Sequence, residues 1–438
     1  MYKVGIYERE ITALFGCSIR GYFNTRLVSG VKDKAYAKAV VIEKDGVIMA
    51  LLAADMPKVN NAFCDAIYKK VEKYTPIKKE NLTVAATHSH TTCVDKKGMY
   101  EGANDALDGL YIEFLVEALA DTVICAYQRL TDAKIKFAKT TVDGISFVRN
   151  YLLKNGVVRT NPGRLNPDIV EPFGKIDNSV PVFFFEGKNG DNLGLLYTFG
   201  CHQDCVDGTE VSGDYSSQVS RRMKEKFGMD FISIYFSGTA GNVNHFNVKT
   251  AKDEPNHYKK MGDLIAKRIT EVLPSLTEVT GDIAFKYENK YYRTRVPSKE
   301  VIKEKQEIFN KVKIPYGVKL DASSPVDLFN ACTARSNLKY AFSATAYTEA
   351  VWQIYKIGNI IIFAISGEPF TQVGERIRKA FPDNECVFIT NCNYDITYIP
   401  PKECYLPELY ESLYGSAKLD PDDMEDFINK HIEIAKKL

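Results

Sequence analysis

Apolar, β-rich runs alternate along this chain with stretches in which apolar residues recur at helical spacing. Residues 37–43 and 47–54 are two such runs, separated by Lys44-Asp45-Gly46, whose Asp-Gly is a strong hairpin signal. Between 59 and 74 the apolar positions Phe63, Ile67 and Val71 keep a helical period, and 82–86 then reads as a short buried strand. A long amphipathic helix is expected at 107–130 and a strand at 134–148. Asn, Pro and Gly crowd residues 150–178, which predicts a long surface loop. Further strands are expected at 182–185, 193–199, 231–236, 282–294, 350–355, 360–365 and 386–391. Helices are expected at 216–227, 253–273, 298–312, 368–380 and 422–436, and no internal repeat stands out. The class is α/β: a mixed β-sheet core flanked by helices, in a single large domain over residues 1–438.

Composition narrows the function. With 57 Lys+Arg against 56 Asp+Glu the formal net charge is +1, which argues against a nucleic-acid or membrane-surface footprint. The 45% hydrophobic and 26% charged residues are those of an ordinary globular protein. No long apolar stretch opens the chain and no apolar run is long enough to span a bilayer, so a soluble, cytoplasmic protein without a transmembrane segment is expected. Ten irregularly spaced cysteines with no CxxC pair read as reduced thiols. Of the six histidines, four fall in polar clusters at the ends of apolar runs, and His257 and His431 are expected at the surface.

Four segments share one arrangement, an apolar run followed at once by a polar cluster, which is where open α/β sheets bind ligands. The first ends in Thr87-His88-Ser89-His90, and two histidines at i and i+2 on an extended segment face the same way. Two hydrogen-bonded histidines at a strand end are the plainer alternative. The second is Cys201-His202-Gln203-Asp204-Cys205, followed by Ser212-Gly213-Asp214-Tyr215. It reads either as thiolate zinc ligation, for which no second Cys/His pair completes a closed site, or as a third imidazole beside the first two. The third, Ser237-Gly238-Thr239-Ala240-Gly241-Asn242-Val243-Asn244-His245, lets backbone N–H groups approach a ligand closely, yet lacks the Gly-Lys-Ser/Thr of a nucleotide P-loop. The fourth is Ser366-Gly367-Glu368-Pro369-Phe370, where Glu368 is a helix cap or a carboxylate ligand. Two histidines plus a carboxylate are the ligand set of many catalytic zinc sites, so the residues support metal-assisted hydrolysis without saying which histidine is a ligand.

These segments, in this order and over most of the chain, resemble the neutral non-lysosomal ceramidases and their bacterial relatives. The correspondence runs through Thr87-His88-Ser89-His90, Cys201-His202 with Ser212-Gly213-Asp214-Tyr215, Gly241-Asn242-Val243-Asn244-His245, Gly367-Glu368-Pro369-Phe370-Thr371, and Tyr398 through Tyr410-Glu411. The resemblance implies the fold of the ceramidase N-terminal domain and a Zn2+ ion held by His88, His202, Glu368 and Tyr398. It further implies His90 and Tyr410 at the reacting bond, and Arg149 against the substrate. The chain departs where ceramidases carry Ser-Pro, for Asn244-His245 stands there and would meet the substrate headgroup. The sequence also ends soon after the Tyr segment, so the immunoglobulin-like C-terminal domain of ceramidases is not expected here. The resemblance and its departures together imply a zinc-dependent amidohydrolase acting on a small, soluble N-acyl compound rather than on ceramide. An esterase or other metallohydrolase, or a silent metal- or small-molecule-binding relative, is the alternative.

Overall fold

In a computed structural model of the chain, which describes residues 1–314 and 324–438, the apolar runs form two sheets that share one core. The larger is nine-stranded, and its main path runs Ile232–Ser237, Asn192–Phe199, Ser179–Gly187, Thr131–Thr141, Tyr2–Glu10, Tyr36–Lys44, Val47–Ala54, Leu82–Ala86. The smaller is four-stranded, in the order Ile283–Arg293, Tyr347–Ile357, Ile360–Ile365, Glu385–Ile389. The period of two along each strand serves both faces. Val40, Ile42, Met49 and Leu51 point to the core between the sheets, where they join Tyr355, Ile362 and Val387, while Ala39, Val41, Ala50 and Leu52 point outward to helices Asn61–Tyr74 and Asp105–Gln128. Helices Asp214–Phe227 and His257–Val272 cover the other half of the large sheet, and Thr371–Ala380 and Pro421–Ala435 cover the small one. The result is four layers, helices outside two facing sheets.

A repeat is present in the topology although none is legible in the residues. Each of three successive units consists of a strand, an antiparallel hairpin laid beside it, a helix, a parallel edge strand and a second helix. The first unit pairs 2–10, 36–44, 47–54 and 82–86; the second 131–141, 179–187, 192–199 and 232–237; the third 283–293, 347–357, 360–365 and 385–389. The first two join through Tyr2–Glu10 and Thr131–Thr141 into the large sheet, and the third is the small sheet. The three parallel edge strands meet at their carboxyl ends: Thr390 N–H donates to Ser237 O at 2.9 Å and Ala86 N–H to Asn391 O at 2.9 Å.

Three expectations change. Residues 150–178 form a small three-stranded sheet (Asn150–Leu153, Val158–Thr160, Ile169–Pro172) rather than a loop, because turn residues at 154–156 and 161–167 separate short pairing segments. Glu368 precedes its helix, which begins at Thr371, and pairs in register with Tyr398. His431 is buried, not exposed: it sits against Trp352 and Phe427, its Nδ1 lies 3.0 Å from Phe427 O, and burial brings its pKa down to about 4. Helix Val326–Ser343 is not evident from the sequence, since its apolar residues form no single stripe.

Candidate metal centre and cleft

The hairpin strands of the three units end at Ala54, Phe199 and Ile365, and three residues beyond each stand Pro57, His202 and Glu368. The first edge strand ends at Ala86, two residues before His88. His88 adopts a left-handed backbone (φ 70°), with its N–H donating to Met56 O at 2.9 Å, and this turns the ring inward. Its Nδ1 lies 2.6 Å from Pro57 O, so the equivalent position of the first unit supplies a carbonyl where the others supply His202 and Glu368. His202 Nδ1 lies 2.8 Å from Val243 O. Carbonyl partners make each Nδ1 the protonated nitrogen and leave each Nε2 lone pair aimed into the site, that of His202 also within hydrogen-bond reach of Arg149 Nη1 at 3.2 Å.

The two Nε2 atoms converge on one carboxylate oxygen: Glu368 Oε2 is 3.2 Å from His88 and 3.4 Å from His202. Both Glu368 oxygens are buried without a hydrogen-bond partner among the described residues, although Oε1 is ion-paired to Lys58 Nζ at 2.6 Å. Burial opposes the charge on Glu368, but Lys58 and the two imidazoles outweigh it and hold the pKa well below the carboxylate range. Burial and Arg149 bring His202 down to about 4, so its ring is neutral and able to ligate. Tyr398 places its hydroxyl 3.5 Å from His202 Nε2, with the Arg149 guanidinium 5.4 Å from its ring centre. This donor set, two inward lone pairs and the buried carboxylate oxygen Oε2 that faces both, fits a divalent cation such as Zn2+. The ligating nitrogens of His88, His90 and His202 also lie close enough to hold one ion, while neither Cys201 nor Cys205 joins a metal-binding group among the described residues. Thiolate ligation is therefore set aside. Cys201 is buried, and Cys205 packs its sulfur 3.3 Å from that of Met261.

A cleft of about 280 Å3 opens onto this centre, and His88, His90, Arg149, His202, Asn244, Glu368, Tyr398 and Tyr410 all line it. His90 Nε2 is 3.4 Å from His88 Nε2, and burial and its imidazole neighbours press its pKa well below the usual histidine value. Its Nδ1 faces Asp204 Oδ1 at 3.7 Å, which also accepts the Tyr22 hydroxyl at 2.7 Å. Tyr410 lies edge-on to Tyr398, and burial, then Glu368, raises its hydroxyl pKa. Arg149 is largely engaged: Nε donates to Glu411 Oε1 at 2.6 Å and Nη2 to Gly241 O at 2.7 Å, leaving Nη1 toward His202 at 3.2 Å. Asn244 donates to Asn161 Oδ1 at 2.9 Å. His245 does not reach the cleft; its ring stacks on Phe246 and its Nε2 is 3.5 Å from Asp253 Oδ2.

Several residues without a sequence signal belong to the site. Glu411 is fully buried and also accepts from Asn150 Nδ2 at 3.2 Å and Thr160 Oγ1 at 2.7 Å, so it organises the wall that carries Arg149. Its position directly after Tyr410 is the one hint the sequence carries. Arg20 and Lys58 line the cleft as well, each placed there by long-range contacts, beside Asp204 of the second polar cluster.

Residues 2–256 match the family profile described as neutral/alkaline non-lysosomal ceramidase, N-terminal. The fold is similar to the crystal structure of neutral ceramidase from Pseudomonas aeruginosa, with a TM-score of 0.75 at 18% identity over 99% of this chain and 74% of that one. A ceramidase solved in complex with C2 gives a TM-score of 0.72 at 18% identity over the same shares. None of the curated proteins matches the chain. No described helix is long and apolar enough to cross a membrane.

Proposed function

Since the chain belongs to the neutral/alkaline non-lysosomal ceramidase family, we propose that it is a zinc-dependent hydrolase that cleaves the carbon–nitrogen amide bond of a small N-acyl compound. The observation that carries this reading is the convergence of His88 Nε2 and His202 Nε2 on Glu368 Oε2, with each outer imidazole nitrogen against a carbonyl. His88, His202 and Glu368 would hold the ion, with the Tyr398 hydroxyl as the fourth donor. When bound there, zinc supplies Lewis acidity and makes a coordinated water acidic near neutral pH.

The chain's own residues do the rest. His90 is kept neutral by burial and by the neighbouring imidazoles, so at pH 7 it can accept a proton at Nε2, with Asp204 facing its other nitrogen. Tyr410, whose pKa is raised, keeps its proton and can donate it to the developing oxyanion. Arg149, tied to Glu411, adds fixed positive charge beside His202. Asn244, where ceramidases carry a serine, presents an amide to the substrate headgroup and favours a compact polar group over ceramide. An ester could meet the same groups, because zinc-assisted attack is not intrinsically amide-selective.

One specific observation favours a second ligand set: the nitrogens of His88, His90 and His202 lie within 4.8 Å of one another, so His90 could replace Tyr398 on the ion. Metal analysis of the purified protein, with amine release measured on a panel of N-acyl compounds and matched esters, tests the reading. Wild-type protein should hold one zinc per chain and release amine, and His88→Ala and Glu368→Ala should lose both. Full zinc occupancy in both variants would sink the ligand set. Zinc loss in His90→Ala but not Tyr398→Phe would favour the three-histidine site.

A further inference from the structure

The cleft carries three cations, Arg20, Lys58 and Arg149, against two acids, Asp204 and Glu368. Arg149 is consumed by its own partners. Arg20 and Lys58 are ion-paired too, but each carries more N–H donors than its partners take. Arg20 is anchored on one side by Asp95, and its remaining guanidinium N–H groups have no acceptor among the described residues. Lys58 is anchored by Glu368 Oε1 at 2.6 Å and Asp395 Oδ2 at 3.6 Å. Lys418 and Lys96 crowd the same end: burial, opposed by Asp395 and then helped by the charges of Lys58, Lys96 and Arg20, brings Lys418 down to about 8. Three buried acids, Asp95, Asp395 and Glu368, thus stand against four cations, Arg20, Lys58, Lys96 and Lys418, in and beside this end of the cleft.

We propose that Arg20 and Lys58 form a carboxylate-binding subsite, so that the substrates of this site are N-acyl compounds bearing a carboxylate, of the N-acylamino-acid type. The assignment rests on the hydrolase reading for its placement relative to the scissile bond, and on Arg20 and Lys58 alone for the charge it selects. A guanidinium fork and an ammonium held rigidly by buried acids present donors at fixed positions and lose little entropy on binding a planar anion. The same charges would disfavour an amine-bearing substrate.

Calorimetry on the full metal-free chain, with N-acetylglycine and its neutral counterpart N-acetylethanolamine as probes, reads the subsite without turnover. N-acetylglycine should bind about tenfold more tightly or better. Arg20→Gln and Lys58→Gln should each collapse that ratio, while Arg20→Lys keeps part of it; circular dichroism and a melting curve establish that each variant is folded. Equal binding of the two probes, or a ratio that survives both Gln variants, overturns the proposal. Turnover by the zinc-loaded chain separates the two readings. Carboxylate-selective binding with no hydrolysis of either probe rejects the hydrolase and keeps the subsite, whereas equal hydrolysis of both keeps the hydrolase and rejects the subsite.

Discussion

The strand ends and the insertions of this protein build the same cleft by different means. His202 and Glu368 stand at equivalent places in two units, with Pro57 at the third and His88 beside it, and backbone carbonyls from neighbouring strand ends orient both imidazoles. The rest of the cleft comes from segments inserted between the elements. Arg20 and Tyr22 follow the first strand, Arg149 and Asn161 the first strand of the second unit, and Tyr398 and Tyr410 the last edge strand. These are fixed by side-chain pairs of long sequence separation, such as Arg149 with Glu411 and Arg20 with Asp95. The framework therefore places His88, His202 and Glu368, and the insertions supply most of the remaining cleft wall. Apart from Tyr398, whose hydroxyl is the proposed fourth donor, changes in the insertions should leave ion binding intact and alter substrate choice.

The largest effect is expected at the framework. Glu368→Ala removes the carboxylate on which both imidazoles converge, and zinc content and amine release should fall together, the latter by roughly a thousandfold or more. On the insertion side the equivalent break is Glu411→Ala, which strands a buried guanidinium. Denaturant unfolding should show a loss of about 3–5 kcal/mol, with Glu411→Gln milder because its amide oxygen still accepts from Arg149. A third test lies outside both regions. The unfolded His431 imidazole takes a proton below about 6.5, whereas the folded one refuses it until about 4, so stability should fall as the pH drops across that window. The full penalty is about 3 kcal/mol, and His431→Leu should flatten this part of the pH-stability curve. The smallest effect is expected at Asn244→Ser, which gives up the contact to Asn161. Stability should change by about 1 kcal/mol or less, while the preference among N-acyl headgroups shifts; an unchanged preference would remove Asn244 from substrate selection.

Sequence and structure agree where the physics is local. The Asp-Gly hairpin, the strand ending at Ala86 and the polar residues that follow each strand are all legible, because alternation and abrupt polarity are short-range signals. The three-unit repeat is not, since it lies in strand pairing and leaves no shared residues to read. Glu411, Arg20 and Lys58 escape for a related reason: their partners lie 262, 75 and 310 positions away, and nothing beside them marks the pairing. His245 shows the reverse. It sits next to Asn244 in the motif, but successive side chains of the short strand pair Val243–Asn244 and its exit diverge, and the imidazole turns to Asp253. His431 reads as exposed because helix Pro421–Ala435 is rich in charge, although it buries one face that includes this residue.

The hydrolase reading of this cleft depends on an ion between the two imidazoles and Glu368. A crystal grown with Zn2+ and measured at the zinc absorption edge should show a single anomalous peak within about 2.0–2.2 Å of His88 Nε2, His202 Nε2 and a Glu368 oxygen. A peak elsewhere in the molecule, or none beside Glu368 at full zinc saturation, would contradict a metal centre at these strand ends.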